Sequence, residues 1–133
     1  MTLAVKVVSP ERLVFDQEAS MVVCRTTEGE IAFQTGHAPF IGLLGIGTVR
    51  VYPSAGGAPV SAAVHGGFVE VRDNQVSVLS DIAELPDQVD TDRARADQAD
   101  AEGRLGRDRD DEEAAADLRW AQVRLEVAGA VSA

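Results

Sequence analysis

The sequence has very few of the residues that form disulfide bonds or bind metal ions in small proteins. Its only cysteine is Cys24, and its only histidines are His37 and His65. A single thiol cannot form an intramolecular disulfide, and no cysteine–histidine cluster has the spacing of a metal site. These scarcities exclude a disulfide-rich scaffold and a zinc-binding motif. They also favour the interpretation of Cys24 as a small buried residue in a strand.

Long apolar runs are missing as well. No stretch approaches the ~20 apolar residues of a membrane-spanning helix, and the start of the chain lacks the features of a signal peptide. The formal net charge of −10 repels phosphate backbones and anionic lipid. We therefore expect a soluble, cytoplasmic protein with no nucleic-acid partner and no direct membrane insertion, although it could dock to a partner that spans a membrane.

Familiar catalytic motifs are absent too. The sequence contains no Gly-x-Ser-x-Gly nucleophile motif and no phosphate-binding loop ending in Gly-Lys-Ser/Thr. The glycine-rich segment at residues 42–47 has the wrong spacing for a dinucleotide-binding fingerprint and is more typical of a strand, a turn and a second strand. Because no nucleophile–base or acid–base pair can be identified, we expect a protein that is not an enzyme in its own right.

What the sequence does contain changes near Pro86. Nine of the twelve glycines, all four phenylalanines and the only tyrosine come before that point, whereas alanine, aspartate, glutamate and arginine dominate after it. Strand-forming residues thus precede helix-forming residues. The pattern predicts a β-domain over residues 1–86 and a helical domain over residues 87–133.

The first part consists of short β-rich runs bounded by Gly, Pro, Asp or Asn. Several alternate apolar with polar residues, as half-buried strands do, and Asp73-Asn74 is a tight-turn signal. This spacing predicts a sandwich or a barrel-like pair of sheets. The predicted strands are residues 3–8, 13–15, 21–24, 31–33, 41–44, 49–52, 60–64, 68–71 and 76–79.

The second part predicts two helices. Asp90 is a candidate N-cap for the first, and the acidic residues from Asp110 favour the start of the second. Because alanine buries little area, we expect a hairpin of marginal stability that can detach from the sheets. The predicted apolar stripes are Ala94, Gln98, Ala101 and Leu105 on the first helix, and Ala114, Leu118, Ala121, Leu125 and Ala128 on the second.

Three segments carry a family resemblance. They are EGEIAFQTGHAPF at residues 28–40, HGGFVEVRDNQVSVLSDIAE at residues 65–84 and VDTDRA at residues 89–94. In this order and spacing they resemble the epsilon subunit of the rotary (F-type) ATP synthase, over nearly the whole chain. The resemblance implies an α+β fold, with a flattened antiparallel β-sandwich followed by a C-terminal two-helix hairpin.

The resemblance also implies partners and a place in the cell. The sandwich would couple the gamma subunit to the membrane c-ring in the central stalk. The helical tail would reach the alpha/beta catalytic head transiently and restrain ATP hydrolysis. The expected location is the cytoplasmic face of the bacterial cell membrane, as a peripheral part of the complex.

For the rotor contacts, the resemblance points to Glu30 and His37 as residues that face the c-ring. The alternative is that Glu30 is a solvated strand residue and His37 a turn residue packed by Pro39. An apolar face that includes Phe40, Leu43 and Leu44 is a candidate contact for gamma, with the sandwich core as the competing interpretation.

For nucleotide, the resemblance implies weak regulatory binding of ATP and no other cofactor or metal. The alternative is that Asp90 only caps a helix and Arg93 only faces solvent. Asp100, Glu113 and Trp120 stand near positions where family members that bind ATP well carry basic residues, which argues for weak binding. The matching residues are Glu84, Asp90, Arg93, Ala94 and Arg124.

Trp120 is the one large side chain of the tail. It is a candidate anchor for the tail on its partner, or else a residue that closes the hairpin core. Two other functions compete with the rotor subunit, namely a free-standing β-sandwich binding module and a small hydrolase or isomerase. The first would need an aromatic-lined pocket and the second a catalytic pair, and neither is readable in the sequence.

Overall fold

The structure is a computed structural model that describes residues 2–129. The two ends of the predicted domains, Met1 and residues 130–133, lie outside the described residues. Eight strands come first and two helices follow, with a short 3-10 turn between them at Pro86–Gln88. The strands are β1 (Leu3–Ser9), β2 (Arg12–Thr26), β3 (Gly29–Phe33), β4 (Phe40–Pro53), β5 (Val60–His65), β6 (Phe68–Arg72), β7 (Gln75–Leu79) and β8 (Ile82–Glu84).

Two long strands, β2 and β4, pass from one sheet into the other. The first half of β2 pairs with β1, and its second half lies between β3 and β4. Strand β4 begins beside β6 and ends between β2 and β5. The result is a first sheet with the order β2-β1-β7-β6-β4 and a second sheet with the order β3-β2-β4-β5-β8. Among the described strands only the β1–β7 pair is parallel, and the predicted β-sandwich is confirmed.

The sequence prediction divides both long strands, and for β4 it places within residues 42–47 a turn between two strands, which is wrong. Glycines stand there because β4 changes neighbours and lies close to β2. A Cβ atom added to Gly47 would lie 3.0 Å from the Cβ of Arg25. The prediction also misses β8, which has three residues and is too short to show alternation.

The core lies between the inner faces of the two sheets. It is built from branched aliphatic side chains with one fully buried phenylalanine, Phe33. Cys24 is fully buried among them, as predicted. The fully buried valines and leucine include Leu3, Val5, Val22, Val49, Val69, Val76 and Val78.

The helices are α1 (Thr91–Arg107) and α2 (Glu112–Val127). Asp90 caps α1 as predicted, since its Oδ1 accepts a hydrogen bond from the backbone N–H of Arg93 at 3.0 Å. Asp111, one residue after the expected start, caps α2 by accepting from the N–H of Ala114 at 2.9 Å.

The hairpin packs on the outer face of the second sheet through α2, against β4 and β5. Its most buried residues toward α1 are alanines and one leucine, in line with the predicted stripes. A second face of α2, outside the predicted stripe, contacts the sheet. This cluster joins Val123 and Val127 to Ala63, with Ile46, Val89 and Trp120 packed around them. Burial of two faces therefore fixes α2 between its partner helix and the sandwich.

Candidate functional surfaces

A row of apolar side chains crosses the outer face of the first sheet. The strand register places Leu13 opposite Val8, Val8 opposite Leu79, Leu79 opposite Phe68, and Phe68 opposite Leu43. We call these five residues the apolar row. Leu43 is 65% exposed and Leu13 54% exposed. A contiguous exposed apolar strip of this kind marks an interaction surface.

The apolar row lies on the opposite side of the sandwich from the hairpin. The hairpin covers the outer face of the second sheet, and the outer faces of two stacked sheets point in opposite directions. The first sheet therefore remains open to a partner while the hairpin is folded against the second.

The structure separates the three residues of the predicted apolar face. Phe40 is half-buried and packs against Phe33, with ring centroids 5.5 Å apart, and Leu44 is in the core. Leu43 alone faces outward. Adjacent strand residues point to opposite faces, so Leu43 and Leu44 could not share one, and that signal was available in the sequence. The other four members of the row were missed because only the pairing of distant strands aligns them.

Glu30 and His37 lie near opposite ends of β3 and bond to different partners. Glu30 forms an ion pair with Arg50 on β4 at 3.1 Å. His37 Nδ1 lies 2.7 Å from the carbonyl oxygen of Ala38, and because a carbonyl only accepts, this bond requires the proton on Nδ1. The His37 ring also meets Phe33 edge-on at 4.9 Å. The two residues therefore have separate surroundings and do not contact each other.

The loop that carries His37 is held to a neighbouring turn. The N–H of Gly36 donates to Asn74 Oδ1 at 2.8 Å. Asp73 and Asn74 have φ of 51° and 60°, as the tight turn between β6 and β7 requires. This bond joins two loops of the sandwich into one surface around residues 34–39.

Four of the five residues matched to nucleotide binding come together as a network with one aspartate. Glu84 accepts from Arg124 at 2.8 Å, and Arg93 pairs with Asp97 at 3.3 Å. Asp97 also lies 3.8 Å from Arg124 and so links the two pairs. Asp90 joins by capping the helix at Arg93, whereas Ala94 is fully buried in the hairpin. The arginines that could hold a phosphate are thus already paired with carboxylates.

The cleft between the helices is acidic. It is lined by Asp97, Asp100, Arg104, Asp117 and Trp120. Arg104 bonds to Asp117 at 2.6 Å and to Asp100 at 3.1 Å, and chiefly the hydrogen bond to Asp117 raises the pKa of Arg104. Asp97 is itself paired with Arg93 and Arg124, so each of the three arginines at the cleft already has a carboxylate partner and none is free to hold an anion.

Trp120 lies at the contact between α2 and the second sheet. Its ring meets the edge of His65 at 5.2 Å, and the guanidinium of Arg124 stands 5.7 Å from its centroid. It packs beside Val123 and Val127 on Ala63. In this state Trp120 is directed at the sandwich, and its predicted role as an anchor for a partner remains a prediction.

Two further observations limit the chemistry of the described residues. Within residues 2–129, no group of three or more His, Cys, Asp or Glu side chains could hold a metal ion. Burial, with a smaller effect from the charge of Glu30, raises the pKa of Cys24 to about 12, so its thiol is protonated at neutral pH.

Neither helix in the described part of the chain is long and apolar enough to cross a bilayer.

Comparison with known proteins identifies the family. The model of the ATP synthase delta/epsilon chain β-sandwich domain matches residues 2–86. The chain is 44% identical over 123 residues to the ATP synthase epsilon chain of Streptomyces griseus, covering 92% of each protein. It is 44% identical over 110 residues to the ATP synthase epsilon chain of Alkalihalophilus pseudofirmus, covering 83% of this chain and 81% of that one.

Solved structures share the fold. A chain in the cryo-EM structure of the Euglena gracilis mitochondrial ATP synthase (OSCP/F1/c-ring) has a TM-score of 0.71 at 18% identity, covering 96% of this chain and 78% of that one. A chain from the Tetrahymena thermophila mitochondrial ATP synthase central stalk and c-ring has a TM-score of 0.55 at 16% identity, covering 69% and 72%. The sandwich, the hairpin and the identity to these bacterial relatives together show that the chain belongs to the family of ATP synthase epsilon chains.

Proposed function

We propose that this epsilon chain is a non-catalytic rotor subunit of a proton-translocating ATP synthase. Its sandwich binds the gamma subunit and meets the c-ring, and its hairpin modulates ATP hydrolysis at the alpha/beta head. The subunit works as a peripheral part of the complex at the cytoplasmic face of the bacterial cell membrane. The observation that carries the proposal is the exposed apolar row on the side of the sandwich that the hairpin leaves open.

The apolar row has the properties of a stable interface with the gamma subunit. Removal of apolar surface from water contributes roughly 25 cal/mol per Å², and the row presents several large side chains in a line. Leu43 and Phe68 sit directly opposite each other on neighbouring strands, where one partner element could cover both. A contact on this side would leave the hairpin free to change position.

We assign the c-ring contact to Glu30, His37 and the loop at residues 34–39. A carboxylate and an imidazole offer polar partners to loop residues of the ring. The bond between Gly36 and Asn74 holds the loop in place. Because such an interface depends on shape and many weak contacts, each of the two side chains contributes modestly.

The gamma contact is tested by titrating the full chain into isolated gamma subunit. The double variant Leu43→Gln/Phe68→Gln should weaken binding at least about tenfold, because it makes two adjacent members of the row polar, including Leu43, which is 65% exposed. Ile82→Gln is the matched control, since Ile82 is similarly exposed but belongs to the second sheet. Equal affinities for the double variant and the control would contradict the assignment of the row to gamma.

The role of the hairpin is tested with a catalytic complex stripped of this subunit. The full chain and a chain that ends at Pro86 are added back separately, and binding and ATP hydrolysis are measured. If both bind and only the full chain slows hydrolysis, the hairpin acts as a brake. If both bind with equal rates, the sandwich couples the rotor without a brake. If neither binds, a free-standing binding module becomes the better interpretation.

A further inference from the structure

One side chain of the hairpin links three elements. Arg124 on α2 donates from Nε to Glu84 Oε1 at 2.8 Å, and its Nη2 lies 3.5 Å from Glu84 Oε2 on β8. Its Nη1 is 3.8 Å from Asp97 Oδ2 on α1. All three nitrogens of the guanidinium therefore face carboxylates of the same chain.

This ion pair is the most enclosed one of the hairpin. The side chain of Arg124 is 11% exposed and that of Glu84 18% exposed, whereas Arg93, in its own pair with Asp97, is 72% exposed. Water and salt screen a pair at this depth only weakly, and each charge would be costly without the other. The pair thus couples the position of α2 to the last strand of the sandwich.

Apolar contacts complete the junction beside the ion pair. Val123, Val127 and Trp120 pack against Ala63 and Ile46 on the second sheet. The Trp120 ring is close to both the His65 ring, at 5.2 Å, and the Arg124 guanidinium, at 5.7 Å. The chain itself therefore supplies both the ionic and the apolar contacts that join the folded hairpin to the sandwich.

We infer that in this chain the carboxylates of Glu84 and Asp97 take the place of a nucleotide as the anionic partners of Arg124, and that they form an internal latch holding the hairpin against the sandwich. The inference rests on the proposed function, because a latch matters only for a movable arm. A triphosphate would have to displace both carboxylates and would meet Asp100 and Asp117 in the adjoining cleft. The position of the hairpin is therefore set by the chain's own ion pairs and is insensitive to ATP.

Trp120 provides the readout, because it is the only tryptophan and stands in the junction. Acrylamide quenching of its fluorescence is measured on the isolated full chain, with and without millimolar Mg-ATP. In the unmodified chain, quenching should be low and unchanged by ATP. Glu84→Gln should raise the quenching constant at least about twofold, since it leaves the Arg124 charge poorly compensated.

Arg95→Gln is the matched control, because among the described residues Arg95 pairs only with the exposed Asp92, at 3.7 Å, and its own side chain is 56% exposed. It should leave quenching unchanged. Circular dichroism checks that each variant retains its sheets and helices. If Glu84→Gln does not fold, Asp97→Asn replaces it, and an increase in quenching is again expected.

Two results would overturn the latch. One is a strong protection of Trp120 by ATP in the unmodified chain. The other is quenching in the folded Glu84→Gln or Asp97→Asn variant that equals that of the control. Neither result bears on the gamma contact, because the titration of the apolar-row variants measures that contact separately. Failure of the latch and failure of the proposed function are therefore distinguishable.

Discussion

The sandwich and the hairpin are held together by different means. The sandwich buries valine, leucine and phenylalanine side chains between two sheets that share β2 and β4. The hairpin buries mainly alanines between its helices and adds ion pairs such as the one between Arg104 and Asp117. Since each buried methylene contributes about 0.8 kcal/mol, an alanine seam stabilises far less than a valine core.

This difference separates a strongly packed part of the chain from a weakly packed one. The sandwich has a core of its own, so loss of the hairpin would remove only surface contacts such as those at Ala63, His65 and Glu84. The hairpin depends on α2 contacts with β4 and β5 and on the latch at Arg124. Under the proposed function, a hairpin that changes position benefits from such a local attachment, and a sandwich that couples the rotor benefits from a continuous core.

The largest expected effect separates the two regions directly. Phe33→Ala removes a fully buried ring and should lower the free energy of unfolding by about 3–5 kcal/mol. Val123→Ala, at the junction, should instead raise amide hydrogen exchange in α1 and α2 while the strands stay protected. Urea unfolding and hydrogen exchange measure the two effects. Equal loss of protection in strands and helices for Val123→Ala would show that the regions form one cooperative unit.

Two glycines at separate positions, Gly67 and Gly57, sharpen the contrast between the packed and open parts of the sandwich. Gly67 has a φ of +95°, and a Cβ atom there would lie 1.9 Å from the carbonyl oxygen of Leu79. Gly67→Ala should therefore destabilise the chain by about 3 kcal/mol in urea unfolding, from strain and overpacking together. Gly57 has a similar φ of +98° in open space, so Gly57→Ala should cost about 1 kcal/mol. Equal losses of unfolding free energy for the two variants would mean that the backbone at Gly67 shifts to accommodate the added Cβ atom.

A smaller effect tests whether the hairpin depends on its caps. Asp90→Ala removes the bond to the Arg93 N–H and should lower hairpin stability by about 1 kcal/mol. Asp90→Asn keeps a capping oxygen and should cost much less, although it removes the charge. Hydrogen exchange at the start of α1 measures both. If Asn is as harmful as Ala, the charge of Asp90 matters more than its hydrogen bond.

The smallest effect concerns Cys24 in the strongly packed part. With its pKa raised to about 12 by burial, the folded thiol stays protonated at pH 8, and alkylation by iodoacetamide should occur only through unfolding. As pH rises above the ordinary thiol pKa, the unfolded chain ionises first, so stability should fall with pH up to about 12. Rapid labelling of the folded chain at pH 8 would show that the second sheet opens more readily than its core suggests.

Much of the fold follows from local sequence patterns, and the predictions made from those patterns are correct. Alternation predicts most strand segments, the Asp90 side chain predicts the start of α1, and the change in composition near Pro86 separates strands from helices. Local signals fail where a strand changes partners, because Gly45 and Gly47 are predicted to form a turn unless the neighbours of β4 are known. Likewise, Val123 and Val127 lie outside the helical stripe but contact the sheet.

The sequence by itself determined that a β-domain precedes a helical hairpin, that α1 begins with a capping residue and that Cys24 is buried. It also contains the motifs that carry the family resemblance. Each of these depends on residues that are near one another in the chain. Only the tertiary structure decided which side chains form the apolar row, since strand register aligns Leu13 with Leu43 across five strands. It also decided that Arg124 meets Glu84, a contact across 40 residues of sequence. Such contacts depend on how distant elements pack, which no local pattern of side chains encodes.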